Sequence, residues 1–303
     1  MRLDDERESS NIEDRRGEGG GGFGFPGLGG GGGGFSLGGG RMGCGSIVVI
    51  GILALVFGIN PLTLLGGGGG QIAPPTEQIG QPQAGAPVGR DASDMDRFVA
   101  KVLATTEDSW AAQFEREVGE PYQPPKLVLF SGGVRSGCGA AESAMGPFYC
   151  PADRKVYLDQ SFFDGLSRRF GAPGDFAAAY VIAHEVGHHV QNLLGISQQA
   201  QEAQSRSSKT RGNAISVRVE LQADCLAGVW AKANSTLLEP GDVDEAMRAA
   251  TAIGDDTLQK AAQGMVVPES FTHGSAAQRT RWFQRGMQGG TIKACDTFAA
   301  SEI

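Results

Sequence analysis

The chain has 303 residues, a formal net charge of −8 and a hydrophobic content of 40%. These values are typical of a soluble globular domain. They argue against a nucleic acid as partner, because such a partner requires basic residues gathered on one surface.

Glycine dominates the first part of the chain. Many of its 48 glycines lie between residues 17 and 40 and between residues 66 and 70. Such tracts bury too little apolar area to offset the entropy lost on ordering. We therefore predict that residues 1–45 form a disordered, glycine-rich segment. Residues 66–93, which are also rich in Pro and Gln, are predicted to form a linker.

Residues 46–65 carry no charged side chain and have the length of a bilayer-spanning helix. The long glycine-rich stretch before them disfavours a cleavable signal peptide, which places its apolar core near the N-terminus. Arg41 precedes this segment, and the next basic residue after it is Arg90. The positive-inside rule therefore predicts a single-pass protein of the cell membrane, with a cytoplasmic N-terminus and an extracytoplasmic domain.

Residues 94–303 are predicted to form the folded domain. A first long helix is indicated by apolar residues at helical spacing, namely Met95, Phe98, Val99, Val102, Leu103, Trp110 and Phe114. Short apolar runs predict strands at residues 126–130, 146–149 and 155–158. Further helices are predicted at residues 162–170, 202–208, 242–254 and 275–286, besides two that carry the motifs below. The predicted fold class is α+β, mostly helical with a small sheet. Residues 156–159 or 132–145 are predicted to form a cleft edge to which a peptide adds as a strand.

The most informative pattern is a His-Glu-x-x-His sequence formed by His184, Glu185 and His188. Its apolar flanks, with Asp175 as a candidate N-cap, predict a buried helix. On a helix His184 and His188 share one face, so both imidazoles can bind one metal ion. Glu185 then lies beside the ion as a candidate general base. The pattern predicts zinc-assisted amide hydrolysis, and a pair of hydrogen-bonded core histidines is the alternative.

A catalytic zinc requires a third protein ligand and an open position. Glu220 and Asp224 lie four residues apart in a second segment with helical periodicity. Two carboxylates on one buried face repel each other unless a cation or a donor lies between them. We predict that Glu220 is the third ligand and that Asp224 accepts the outer N–H of His184 or His188. The alternative is a solvent-exposed charged pair.

The remaining two histidines are His189 and His273. His189 lies about 100° around the helix from His188, so it is predicted to pack or to support the site. His273 begins a loop-to-helix transition with Ser275 as a cap. It is a candidate catalytic residue that donates to the oxyanion, and a capping or surface histidine is the alternative.

These motifs resemble a family of bacterial membrane-anchored proteins, the neutral zinc metallopeptidases. The resemblance extends over nearly the whole chain, including the glycine tract, the apolar segment and residues 10–17, 138–139, 146–151, 184–191, 220–225 and 272–279. It implies a zincin-like catalytic domain, in which the motif helix packs below a small sheet whose edge strand binds substrate. It also implies His184, His188 and Glu220 as zinc ligands and Glu185 as base.

The cysteines predict two disulfides in the exported part. Cys138–Cys150 would close a short loop, and Cys225–Cys295 would tie the C-terminal tail to the Glu220 helix. Four cysteines allow three pairings. A four-cysteine zinc site is disfavoured because no Cys-x-x-Cys spacing is present. Cys44, before the apolar segment, is predicted to be a free thiol.

The sequence therefore predicts a membrane-anchored zinc metallopeptidase with one Zn²⁺ per chain and a peptide or protein substrate. Two alternatives are open. One is a membrane-tethered binding or scaffold protein whose zinc only stabilises the fold, with Cys225 or His189 as a fourth ligand. The other is a zinc amidase that acts on cell-wall peptides.

Overall fold

The computed structural model describes residues 1–17 and 92–303. The strands in these residues are β1 (Ile12–Asp14), β2 (Lys126–Leu129), β3 (Gly133–Ser136), β4 (Gly139–Glu142), β5 (Phe148–Cys150) and β6 (Lys155–Leu158). The helices are α1 (Asp94–Glu117), α2 (Ser161–Phe170), α3 (Asp175–Leu193), α4 (Ile196–Ser205), α5 (Lys209–Ala233), α6 (Asp242–Ala252), α7 (Asp255–Gln263) and α8 (Ala276–Gly289). The predicted class, mostly helical α+β with small sheets, is confirmed for this part of the chain.

The predicted transmembrane helix at residues 46–65 lies outside the described residues, as do Cys44 and most of the two glycine-rich segments. Within residues 1–17 and 92–303, no helix combines the length and the apolar character that crossing a bilayer requires.

Four strands form one mixed sheet in the order β1, β2, β6, β5. The pairs β1–β2 and β2–β6 are parallel, and β6–β5 is antiparallel. Because β6 lies between two other strands, residues 156–158 cannot form the predicted cleft edge. Among the described strands, that edge of the sheet belongs to β5. Most of the other predicted edge segment, residues 132–145, forms the separate hairpin β3–β4.

Residues 1–17 pack onto the domain. Strand β1 pairs with β2, with Ile12 opposite Leu127, and Ile12 is buried. The Glu13 carboxylate accepts a bond from Lys155 Nζ at 2.8 Å. The prediction of disorder is therefore wrong for residues 1–17, because partners far along the chain supply the contacts that their own composition lacks.

These contacts constrain the orientation of the chain. A strand cannot pair with its sheet across a bilayer, because its backbone groups would then face hydrocarbon without partners. The sequence-based orientation places residues 1–45 in the cytoplasm and the domain outside. That orientation conflicts with the pairing of β1 and β2, which puts residues 1–17 on the same side as the domain.

Helix α5 lies against α3 on one side and α8 on the other. The contact with α8 is close because glycines face it from both helices. A Cβ on Gly228 would lie 2.1 Å from the Phe283 carbonyl oxygen, and one on Gly286 would lie 1.9 Å from the Cys225 carbonyl oxygen. Only hydrogen in place of a side chain permits this approach.

Both predicted disulfides are present. Cys138–Cys150 ties the β3–β4 hairpin to β5, and Cys225–Cys295 ties the C-terminal segment to α5.

Several helix boundaries differ from the predictions. Asp175 is the first residue of α3 and not its N-cap, which is Gly174. The helix predicted at residues 202–208 ends at Ser205 and begins earlier, at Ile196. Helix α7 was not predicted, because its apolar residues are too few to show a period.

Candidate metal centre

Three side chains meet between α3 and α5. The Nε2 atoms of His184 and His188 lie 3.2 and 3.6 Å from Glu220 Oε2. One ligand atom from each residue lies within 4.8 Å of the other two. Zinc binds imidazole nitrogen and carboxylate oxygen at about 2.0–2.2 Å, so atoms this close can share one ion. The structure thus brings together the three residues predicted as ligands.

A glycine inside the motif sets the separation of α3 and α5. A Cβ on Gly187 would lie 3.0 Å from the carbonyl oxygen of Ala223 and 3.2 Å from its Cα. Glycine in a helix costs about 1 kcal/mol relative to alanine, so its place in a buried helix requires a reason. The reason here is the close crossing, which brings Glu220, one turn before Ala223, beside the two imidazoles.

Asp224 orients His184. Its Oδ1 accepts a bond from His184 Nδ1 at 2.9 Å. Arg279 of α8 donates from Nε to Oδ2 at 2.8 Å and from Nη2 to Oδ1 at 2.9 Å, and the Tyr180 hydroxyl also donates to Oδ1. Burial raises the pKa of Asp224, but Arg279 and His184 outweigh burial and lower it to about 2. The ionised carboxylate therefore keeps the His184 proton on Nδ1 and leaves Nε2 for a metal.

Gln191 has the same role toward His188. Its Oε1 lies 2.9 Å from His188 Nδ1. Its amide group donates to the Val219 carbonyl oxygen at 2.7 Å and to Gln222 Oε1 at 2.9 Å. Because the amide hydrogens are used by these acceptors, the oxygen faces His188 and holds the proton on Nδ1. Both imidazoles thus present Nε2 toward Glu220.

Glu185 lies beside this cluster and is 8% exposed. Its carboxylate makes no hydrogen bond to another described residue. Burial raises the pKa of Glu185, and the neighbouring His188 and His184 offset part of that rise. An unpaired carboxylate of increased basicity is the type of group that accepts a proton in general base catalysis.

The His273 side chain is held by Asp255, the first residue of α7. His273 Nδ1 lies 3.1 Å from Asp255 Oδ1. The other carboxylate oxygen accepts the backbone N–H groups of Thr272, His273 and Gly274 at 2.7, 2.6 and 3.0 Å. This loop is therefore fixed around one buried carboxylate.

The same loop packs on α5 next to the candidate ligand. Gly274 has φ +91°, and a Cβ there would lie 3.1 Å from the Leu221 side chain. Burial lowers the pKa of His273, but Asp255 and Glu220 outweigh burial and raise it above the usual value. The His273 side chain is 20% exposed, so it is partly buried.

His189 and Cys225, the possible fourth ligands, are engaged elsewhere. His189 Nε2 donates to the Gln123 carbonyl oxygen at 2.6 Å, and its Nδ1 lies 3.0 Å from the Tyr149 hydroxyl. Burial lowers the pKa of His189 to about 4, so the ring is neutral. Cys225 is bonded to Cys295.

Three residues of the site were not predicted, namely Tyr180, Gln191 and Arg279. Tyr180 lies four residues before His184 and Gln191 three residues after His188, so helical spacing alone could have indicated both. Arg279 gave no such signal, because it lies on another helix, 55 residues from its partner Asp224.

Comparison with known proteins agrees with the motifs. The family model described as "Putative neutral zinc metallopeptidase" matches residues 1–298, and the chain belongs to this family. It is 46% identical over 304 residues to the uncharacterized protein YpfJ of Escherichia coli K12, a match that covers 99% of this chain and 100% of that protein.

Two mycobacterial proteins match a shorter part of the chain. They are the uncharacterized proteins Rv2575 of Mycobacterium tuberculosis and Mb2605 of Mycobacterium bovis, each 44% identical over 227 residues. The match covers 71% of this chain and 75% of theirs. No solved structure matches the chain significantly, so the zincin-like fold stays a prediction.

Proposed function

We propose that the protein is a zinc-dependent metallopeptidase that hydrolyses peptide bonds. One Zn²⁺ per chain would be held by His184, His188 and Glu220. The observation that supports this most is the convergence of their three ligand atoms beside the unpaired carboxylate of Glu185. Zinc held there would supply Lewis-acid activation of a water molecule and of the substrate carbonyl group.

The protein's own residues supply the proton transfers. Glu185 accepts the proton of the attacking water and passes it to the amine that leaves. His273, oriented by Asp255, donates to the carbonyl oxygen as negative charge develops there. Asp224 and Gln191 keep the two ligand imidazoles in the tautomer that binds a metal.

A zinc that only stabilises the fold would require a fourth protein ligand. The ligand cluster found at this place in the described part of the chain has three members. The two candidates for a fourth, His189 and Cys225, are committed to a carbonyl oxygen and to a disulfide. This favours a site with an open position over a closed structural site.

The substrate is proposed to lie along β5, the strand at the sheet edge. Asn192 near the end of α3 donates to the Tyr149 hydroxyl at 2.9 Å, which fixes β5 against the motif helix. An extended peptide paired with this edge would gain backbone hydrogen bonds and little side-chain selectivity. Such binding suits a peptidase that accepts many sequences.

A membrane-associated, extracytoplasmic protein is the proposed setting. Two disulfides favour an oxidising compartment. The apolar residues 46–65 are the candidate membrane contact, and residues 1–17 share the side of the domain because β1 pairs with β2.

Labelling of intact cells tests this orientation. The exposed residues Glu8 and Glu302 are each changed to cysteine and treated with an impermeant maleimide, with the parent chain as background for Cys44. Both are expected to be labelled. Labelling of Glu302→Cys without labelling of Glu8→Cys would instead support residues 1–17 and the domain lying on opposite sides of the membrane.

The activity is tested with the full-length, zinc-loaded chain and a mixed peptide library analysed by mass spectrometry, with and without a chelator. Cleavage is expected that a chelator abolishes and zinc restores. Cleavage confined to cell-wall peptides would favour the amidase, and zinc binding without any cleavage would favour the scaffold.

The variant Glu185→Gln tests the assigned base. It is expected to bind zinc normally and to lose cleavage by about 100-fold or more, the usual contribution of general base catalysis. Glu115→Gln, on the exposed face of α1, is the matched control. An unchanged rate of peptide cleavage for Glu185→Gln would show that Glu185 is not the general base.

A further inference from the structure

The hydrogen bonds that support His188 extend beyond Gln191 to the segment around Cys295. Gln191 Nε2 donates to Gln222 Oε1 at 2.9 Å, and Gln222 Nε2 donates in turn to the backbone carbonyl oxygen of Cys295 at 3.0 Å. Gln191, Gln222 and Cys295 are all buried. A buried amide group that loses a partner is costly, so the fold favours this chain of bonds over a broken one.

The chain of bonds has only one direction. A backbone carbonyl oxygen can only accept, so the Cys295 carbonyl requires an N–H of Gln222, and the Gln222 oxygen then faces Gln191. Gln191 uses its amide hydrogens on that oxygen and on the Val219 carbonyl oxygen, 2.7 Å away. Its own oxygen is left for His188 Nδ1, at 2.9 Å. Two backbone carbonyl groups thus determine which nitrogen of His188 carries the proton.

The Cys295 carbonyl group has a fixed position on α5. The Cys295 side chain is bonded to Cys225 of that helix. Two residues further along, Thr297 Oγ1 donates to the Arg218 carbonyl oxygen at 2.7 Å, and the Arg218 guanidinium donates to the Thr297 carbonyl oxygen. One covalent bond and two hydrogen bonds therefore hold this segment against the helix that carries Glu220.

We propose that Gln222 is a positioning residue of the metal centre, and that through it the Cys295 carbonyl group fixes the tautomer of His188. The Nε2 atom of His188 is free for a metal only while the proton stays on Nδ1. Without Gln222, one amide hydrogen of Gln191 would be buried without an acceptor, and the hold on His188 would weaken. This inference rests on the proposed function, because it assumes that the site binds zinc.

Helix α1 supplies a matched control. Gln113 is also buried, and its Nε2 donates to the Gly290 carbonyl oxygen at 3.1 Å. Its Oε1 accepts a bond from the Arg116 guanidinium. Gln113 and Gln222 thus each join a helix to a backbone carbonyl group in residues 290–295, but the hydrogen bonds of Gln113 lead to no candidate metal ligand. Methionine has a similar length and lacks the amide, so it removes these bonds at either position.

The test compares five full-length chains. They are the parent, Gln222→Met, Gln113→Met, Gln191→Met and the double variant Gln191→Met/Gln222→Met. Competition with a chelator measures zinc affinity, and the visible absorption spectrum of the Co²⁺-loaded chain reports the geometry of the ligands. The melting temperature of the metal-free chain measures stability. None of these readouts requires peptide cleavage, so failure of the proposed peptidase activity is distinguishable from failure of this inference.

Gln222→Met is expected to lower zinc affinity roughly 10-fold, the lower end of the range for residues that support a metal ligand, and to change the Co²⁺ spectrum. Gln113→Met is expected to lower the melting temperature to a similar extent but to keep the affinity and the spectrum of the parent. In the Gln191→Met background, Gln222→Met is expected to change the affinity by about twofold or less, because Gln222 acts through Gln191.

Two results would overturn the proposal. One is a native zinc affinity and a native Co²⁺ spectrum for Gln222→Met. The other is an equal loss of affinity from Gln222→Met in the parent and the Gln191→Met backgrounds, which would show that Gln222 acts by packing. A parent chain that binds no zinc would refute the proposed metal centre and this inference with it. If Gln222→Met fails to fold, Gln222→Asn, which is one methylene group shorter, replaces it in the same comparison.

Discussion

Arg279 and Asp224 form a buried pair in which two guanidinium nitrogens face two carboxylate oxygens, at 2.8 and 2.9 Å. Such bidentate pairs are the strongest and most directional of the charge-assisted hydrogen bonds. Asp224 also accepts the Nδ1 proton of His184. Through these hydrogen bonds to Asp224, α8 is linked to His184, a candidate metal ligand on α3.

Arg279→Lys should therefore weaken zinc binding. Lysine keeps the charge but cannot bond to both oxygens of Asp224, so the carboxylate and His184 lose their fixed orientation. We expect a zinc affinity about 10–100-fold lower, measured by competition with a chelator, and a parallel loss of any cleavage. Arg281→Lys, at an exposed position of the same helix, is the control and should bind zinc as the parent does. A native affinity for Arg279→Lys would show that Asp224 needs no fixed partner.

Gly187→Ala should disturb the crossing of α3 and α5. The added methyl group would lie 3.0 Å from the Ala223 carbonyl oxygen, so one helix must move. We expect a loss of about 1–3 kcal/mol in the free energy of unfolding, as for other overpacked cores, and weaker zinc binding because Glu220 moves with α5.

The control is Gly212→Ala, which lies in α5, the other helix of the crossing, with open space at its Cβ. Alanine there should stabilise the chain by about 0.5–1 kcal/mol through helix propensity alone. Chemical denaturation of both variants measures the contrast. Equal effects at the two positions would mean that the crossing is not close-packed.

The sequence predicted the two ligand histidines of the site, but it did not predict that Arg279 is the partner of Asp224. The spacing of His184 and His188 is a local property of one helix, so it was predictable. The pairing of Arg279 with Asp224 spans 55 residues and two helices, and no periodic pattern marks it. The identity of a residue that supports a ligand depends on tertiary packing, which a local pattern does not encode.

The prediction for the first 17 residues failed for the same reason, because their partners lie far along the chain. Their buried apolar side chains are few, namely Met1, Leu3 and Ile12. Composition therefore predicted disorder. Order comes instead from β2 and from charged partners such as Asp96, whose carboxylate accepts a 2.8 Å bond from Arg16. Neither kind of partner is visible in the segment itself.

The two disulfides should contribute unequally to stability. Cys225–Cys295 closes a loop with a sequence separation of 70, and Cys138–Cys150 one of 12. A longer closed loop restricts the unfolded chain more, which gives about 4 and about 3 kcal/mol in the chain-entropy model. Urea unfolding of Cys225→Ala/Cys295→Ala and Cys138→Ala/Cys150→Ala compares them. A larger loss for the second pair would show that its local contacts outweigh loop entropy.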